Sequence, residues 1–600
     1  MQPERTQQAF TRRAFLAGLA VAASGALLAA CGGAAATNTP APAATTAPAT
    51  TAPTTAASGA ATTAPTAAAT AASSPAATSA ATSAATKAAS AAASPSAAAS
   101  PAASGPGGGG GTMTGGFDVG PGGNPQGFNV ITAGAGYMWM EKYFSKLLEY
   151  DVKFTKQQGE NAESWEIAPD AKKVTLHLRQ GITWHDGQPF TSEDAKFSIE
   201  LFQNPDSASP YRPKFVDIQS IDTPDPNTLV INLSKPNVAI LDALTYVFML
   251  PKHALSSIAP KDLVKNPWWQ TNPVGTGPFK WSKYVVDQYT ELVPNPKYWR
   301  GAPKLDKLIN RYFKEAGSAL IALQKGEIQF TYVTLDESEV AKKDPNLTVI
   351  PGPSQVVNYL QFNLKDKRFQ DVKVRQAFLY AIDRQAIVDQ LFKGAAVVVP
   401  CPFDNKAYQS PDANPYKQDV NKAKQLLKDA NWDAIKGEPI EVLTYYADQL
   451  SQDILVTIQQ QLQDVGISIK IRAVDVPTFN SLRNGTWTMY YAGAANGVDP
   501  DVTSIYFLSD ATPPAGANYG FYSNPQVDKD YLAGRAETDQ TKRNQDYVDV
   551  CKILNQDLPW AFLWVTTRFG AVSKKVQNFL YTPSAGSGRY YDQAEKWTVS

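Results

Sequence analysis

Apolar Val174, Leu176 and Leu178 alternate with Thr175, His177 and Arg179, the period of a strand that buries one face. Gln180-Gly181 turns the chain toward Ile182 and Trp184, so the segment reads as a hairpin that Asp186-Gly187 ends. Thr191, with Asp194 three residues on, predicts a capped helix carrying Ala195, Ile199 and Phe202. Thr223-Pro224-Asp225-Pro226 then marks a turn before another alternating strand at Leu229 to Leu233. The period changes further on: behind Asp371, a helix cap, Val374, Ala377, Phe378, Ala381 and Ile382 recur at helical spacing and predict a buried face. Ile440 to Tyr446 reads as a strand, Gln452 to Val465 as a helix and Ile467 to Val474 as a second strand. Strand, helix and strand in this order form a βαβ unit, which favours a parallel sheet. Two α/β lobes are the economical architecture, and no solenoid-like repeat is present.

Residues 32–112 interrupt this patterning, because they hold no Val, Ile, Leu, aromatic or acidic residue and a single charge, Lys87. Such a segment has nothing to bury against its backbone entropy and is expected to be a disordered tether. A flexible chain of this length spans about 50 Å. Ahead of it, Arg12-Arg13 precede an apolar run to Ala30, the layout of an export signal over residues 1–30. The paired arginines with Phe15 and Leu16 resemble a twin-arginine signal, a Sec route being the alternative. Leu28-Ala29-Ala30-Cys31 resembles a lipobox, in which Cys31 takes a diacylglycerol. The competing reading is a signal anchor, for which roughly 17 apolar residues is marginal.

Over 600 residues, 55 basic groups balance 55 acidic ones, which disfavours a nucleic-acid partner. Without the leader and tether the remainder is slightly acidic. Three Cys and three His are too few for a disulfide framework or a Cys/His zinc module. Cys401 and Cys551 can pair if the fold brings them together, and two buried thiols are an equal alternative. No Gly-x-x-x-x-Gly-Lys-Ser/Thr loop occurs, Gly275-Thr276-Gly277 runs into Pro278 as a tight turn, and Ser587 lacks a nucleophile-elbow pattern. His185-Asp186 has too few companions for a metal site, so neither metal nor cofactor is expected. Asp499 and Asp501 flank Pro500 as either an acid pair or a hydrogen-bonded loop end. Against this stand 12 Trp, 26 Tyr and 25 Phe, which suit a cleft for a small polar ligand better than they suit catalysis.

Four segments occur in a telling order: Leu176 to Asp194, Pro273 to Phe279, Asn295-Pro296-Lys297-Tyr298-Trp299, and Phe362-Asn363 leading to Val374 through Arg384. Together they resemble the extracellular solute-binding proteins of family 5, the peptide, oligopeptide and nickel receptors of ABC importers. The resemblance covers essentially residues 115–600. It implies an α/β, two-lobe periplasmic-binding-protein-like fold of class II, cluster C type, with a hinged interlobe cleft. Lobe 1 would comprise residues 113–355 plus 563–600 and lobe 2 residues 356–562, the chain crossing near Pro351 to Asn363 and returning near Trp560 to Arg568.

Taken with the export address and the lipobox at Cys31, this predicts a monomeric, lipid-anchored protein on the outer face of the cytoplasmic membrane, at the cell surface or in the periplasm. It would deliver a small peptide to ABC permease and ATPase subunits. Family peptide receptors hold the ligand ammonium with an Asp three residues before the Asp/Glu-Pro pair; here that position is Asn496, ahead of Asp499-Pro500, and Gly493-Ala494 stands where Gly-Trp is expected. A neutral amide gives up the charge pair. Ligand contacts are therefore assigned to Asn496, Asp499, Trp487, Tyr491 and Tyr211, with Tyr490, Trp268 and Trp269 as further aromatic candidates. Oligosaccharide binding on the same fold is the alternative ligand class. Two further functional classes compete with a transport receptor: an anchored carbohydrate hydrolase using Asp499 and Asp501, and a receptor that signals to a membrane kinase.

Overall fold

The computed structural model describes residues 109–118, 128–133, 137–154, 156–315, 317–495, 497–581 and 591–600. The leader, Cys31, the tether up to residue 108, Ser587 and Asn496 lie outside the described residues, and the expected tether ends earlier than residue 112, because Thr112 opens a strand that pairs with Lys307. Among the described residues no helix is long and apolar enough to cross a membrane.

The first alternating strand forms over Lys173–Leu178, with Val174, Leu176 and Leu178 buried and His177 facing solvent. It sits between antiparallel partners Ala162–Ile167 and Thr228–Leu233, and Ile218–Asp225 completes a four-stranded sheet. The expected hairpin toward Ile182 and Trp184 does not form. Both edges of Lys173–Leu178 are already taken, and the Trp184 N–H instead donates to Gln188 while its ring packs on Phe190. Helix α1 (Ser192–Gln203) starts at the predicted cap, where the Asp194 carboxylate accepts from the Thr191 N–H at 3.0 Å.

Three of the four ordered sequence segments meet in this lobe. The His185 ring accepts at Nδ1 from the Gly275 N–H (3.2 Å) and donates from Nε2 to the Gly277 carbonyl (3.0 Å), which also accepts from Asn295 Nδ2 at 3.1 Å. Only a neutral imidazole protonated on Nε2 satisfies both contacts. Burial pushes the His185 pKa down to about 4. The unfolded imidazole takes its proton near the ordinary 6.5, so the contribution is full above that pH and falls as pH drops through the window toward 4. Denaturant melts at pH 7.5 and pH 5 are expected to differ by about 1 to 2 kcal/mol more in the wild type than in His185→Gln. Equal losses in the two proteins would refute this assignment.

Strand β1 (Phe330–Val333) is followed by helix α2 (Leu335–Ala341) and by the long strand β2 (Leu347–Phe362). Helix α3 (Val372–Ala381) begins where Asp371 accepts from the Lys373 N–H at 2.8 Å. Arg375 from α3 donates to the Asp557 and Leu558 carbonyls (2.9 and 3.1 Å), and Arg384 to that of Phe562 (2.7 Å). These two buried guanidiniums bind the fourth sequence segment to the returning chain.

The βαβ unit appears as β3 (Ile440–Thr444), α4 (Gln449–Gln463) and β4 (Ile469–Ala473), continuing through α5 (Val476–Arg483) to β5 (Met489–Ala495). Helix α4 starts earlier than the apolar period suggested because Asp448 caps it, accepting from the Ser451 N–H at 3.0 Å. Strand β3 pairs in parallel with both β4 and β5. After helix α6 (Gln540–Asp557), strand β6 (Trp560–Ser573) runs antiparallel to β2 along most of its length.

Among the described residues one sheet of 11 strands passes through both lobes, in the order β4, β3, β5, β2, β6, β1, then Thr112–Asp118, Lys307–Phe313, Tyr289–Pro294 and Phe279–Val285, with Ala396–Val398 also paired to β6. One large core draws on residues from Val357 to Val565, and another on Met113 to Phe330 with Val572, Ala594 and Trp597. Strands β2 and β6 are the segments that belong to both, with register shifts between Pro353 and Val357 and between Asn358 and Tyr359. The lobes also touch where the Val238 N–H donates to the Arg535 carbonyl (2.7 Å) and Lys393 pairs with Asp336 (3.0 Å).

Of the two states open to the cysteines, the fold selects the disulfide: Cys401 and Cys551 are bonded, with their Cα atoms 5.4 Å apart. The bridge ties the loop after Ala396–Val398 to α6 and encloses a sequence separation of 150 residues.

Candidate functional site

From β3 the chain goes through α4 to β4 on one side, then returns through α5 to β5 on the other. Such a reversal opens a crevice at the carboxyl ends of β3 and β5, the place where open α/β sheets bind ligands. A cavity of about 450 Å³ lies there. Tyr445 and Tyr446, directly after β3, form one wall, and Tyr491, Gly493 and Ala495 of β5 another. Asn358 of β2 and Thr566 to Arg568 of β6 line the hinge side, and Leu335 at the start of α2 reaches in from the other lobe.

The tyrosines depend on an absent side chain. A Cβ on Gly493 would stand 2.5 Å from Tyr446 Oη and 2.6 Å from Val356 Cγ1. Tyr446 Oη accepts from Asn358 Nδ2 and from Tyr445 Oη, each at 3.4 Å, and its ring lies 5.4 Å from that of Tyr491. Burial pushes the Tyr446 and Tyr491 hydroxyls well above the ordinary phenol range, so both stay protonated. Thr566 Oγ1 donates to Ser354 Oγ at 3.1 Å. Neutral donors and aromatic faces thus dominate the walls, and among the described residues no cluster of His, Cys, Asp and Glu can hold a metal ion.

Tyr491 is on the cavity wall. Trp487 is buried in the core against Tyr490, their ring centroids 4.8 Å apart, and does not line this cavity. Tyr211 is in the other lobe, 5.0 Å from the Tyr246 ring, beside Asp242, which accepts from Tyr150 Oη (2.8 Å) and Lys214 Nζ (3.0 Å). Trp268 and Trp269 pack on Phe144, also in that lobe. Asp499 pairs with Arg543 at 2.8 Å and Asp501 with Arg535 at 3.0 Å. Arg543 also donates to Tyr547 Oη (3.4 Å), which donates to Asp501 (3.3 Å), so the two carboxylates are members of one ion-pair network. Sequence reasoning did not single out Tyr445, Tyr446, Asn358 or Arg568. The available signal was position, since residues just past the first strand of a βαβ unit sit at the carboxyl edge of the sheet.

Two α/β lobes joined by a pair of crossing strands, with a cavity where the lobes meet, define a hinged binding protein. The chain belongs to the bacterial extracellular solute-binding proteins of family 5, whose profile, described as "Bacterial extracellular solute-binding proteins, family 5 Middle", matches residues 156–515. A protein of Brucella melitensis, provisionally named an ABC transporter peptide-binding protein, is 45% identical over 498 residues, covering 82% of this chain and 94% of its own. The glutathione-binding protein GsiB of Pectobacterium atrosepticum is 29% identical over 434 residues, 70% of this chain and 83% of its own. The oligopeptide-binding protein AppA of Bacillus subtilis, solved with a nonapeptide, shares the fold with a TM-score of 0.68 at 24% identity, over 82% of this chain and 99% of its own.

Proposed function

We propose that the protein is the monomeric, lipid-anchored receptor of an ABC importer for peptides, held outside the cytoplasmic membrane through Cys31. Residues 113–355 plus 563–600 form one lobe and 356–562 the other; they close on a ligand that is then handed to the permease and ATPase subunits. The observation that carries this reading is the cavity of about 450 Å³ to which both lobes contribute. Ligand contacts available only in the closed state shift the population toward it, and closure needs no chemistry. Peptide is favoured over oligosaccharide by the names of the Brucella and GsiB relatives. Tyr491 touches the ligand directly and Asn496 follows the wall residue Ala495, whereas Asp499, Trp487 and Tyr211 do not line the cavity.

Native mass spectrometry of the purified protein is expected to show co-purified peptide. After its removal, synthetic tri- to pentapeptides are expected to raise the melting temperature, by the equivalent of about 2.7 kcal/mol at a hundredfold excess over Kd. A shift with cello- or xylo-oligosaccharides and none with peptides would replace the peptide reading by the saccharide one.

A further inference from the structure

The cavity holds one charge that the described residues leave unused. Each other arginine among the described residues donates to a carboxylate, carbonyl or amide oxygen: Arg179 to Glu160, Arg212 to Gln203, Arg300 to Glu149, Arg311 to Glu327, Arg368 to Asp366 and Arg375 to Asp557. Arg384, Arg472, Arg483, Arg535 and Arg543 are engaged in the same way. Arg568, on β6 at the cavity wall, is exposed and makes no such contact with the described residues. Its cross-strand partner is Gly352, which offers no side chain to cover it.

The other charges nearby are committed. The Asp448 carboxylate caps α4, accepting from the Ser451 N–H (3.0 Å) and from Ser451 Oγ (2.6 Å). Lys393, next to the lining residues Phe392 and Ala395, is paired with Asp336 of α2. Tyr446 Oη already accepts twice and donates to none of the described residues, so its proton is free for an acceptor on a ligand. A cation and an unused hydroxyl donor on one cavity call for an anionic, acceptor-rich group.

We infer that Arg568 is the specificity-determining residue of this cavity and that it holds a carboxylate of the bound peptide, with Tyr446 donating to the same end of the ligand. The inference rests on the peptide-receptor reading above. It places the receptor's charge selection at the anionic part of the ligand. A guanidinium takes a carboxylate in a charge-assisted, bidentate geometry that a lysine or an amide cannot reproduce.

The test uses the full-length protein and a pool of synthetic tri- to pentapeptides, from which binders are identified by native mass spectrometry and titrated by calorimetry. Arg568→Gln is expected to weaken the retained peptides about tenfold or more, with Arg568→Lys intermediate. Because Arg568 has no partner among the described residues, melting without peptide is expected to be unchanged in both variants. Each binder is also made as its C-terminal amide and with Glu and Asp replaced by Gln and Asn. Whichever change removes the held carboxylate should weaken binding to the wild type as strongly as Arg568→Gln does, and should have little further effect on the variant. Peptides bound equally by wild type and Arg568→Gln overturn this inference alone, as does binding indifferent to both carboxylate changes. A pool from which nothing is retained overturns the peptide reading and the inference together.

Discussion

Gly275→Ala is expected to cost about 4 kcal/mol or more and to leave little soluble, folded protein. A Cβ at this position would stand 1.7 Å from the Tyr143 carbonyl oxygen and 2.7 Å from its carbon. Neither side of the contact can retreat. The Tyr143 carbonyl accepts from the Gly277 N–H at 3.2 Å, and Gly275 is gripped by both the backbone and the ring of His185. Gly181→Ala supplies the control, since a Cβ there meets nothing within 4 Å and only its φ of +77° resists substitution. That change should cost about 1 kcal/mol. Denaturant unfolding of both variants decides the matter; a Gly275→Ala protein as stable as Gly181→Ala would mean that the two backbone segments do not meet as described.

The second large effect belongs to the disulfide. Breaking a bridge that closes 150 residues releases loop entropy to the unfolded chain, about 5 kcal/mol on the chain-entropy account, with measured losses for native bridges of about 2 to 5 kcal/mol. Treatment of the wild type with a reducing agent and the double change Cys401→Ser with Cys551→Ser should lower stability by similar amounts. The double variant should then be indifferent to the reductant. The loss should also spread toward the Asp499 loop, because α6 carries both Cys551 and Arg543, the ion-pair partner of Asp499. Free thiols at both Cys401 and Cys551, labelled after denaturation without reductant, would contradict the bridge.

Much of the fold was legible because its signals are local. Alternation gave Lys173–Leu178, Thr191 with Asp194 gave the start of α1, and the helical period behind Asp371 gave α3. The Ile182 to Trp184 hairpin was misread because pairing is a competition for edges: the turn signal was present, but strands from residues 162–167 and 228–233 had taken both sides. The ordered motifs identified the family and were less informative about the site. His185, Gly275, Gly277 and Asn295 turn out to hold one another, and Arg375 and Arg384 clamp carbonyl groups. Their side chains serve the scaffold, and the cavity is lined by other residues.

By itself, the sequence determined the α/β class and the family, since each is written in local periodicity or in motifs of fixed order. It also determined that Asn496 stands where an acid was expected. Only the tertiary structure decided that Cys401 and Cys551 meet, that Asp499 and Asp501 are held by Arg543 and Arg535, and that Tyr446, Gly493 and Arg568 face one cavity. The physical reason is separation along the chain. These partners lie tens to more than a hundred residues apart, and their contact depends on how distant elements pack together, which no local pattern of hydrophobic and polar residues encodes.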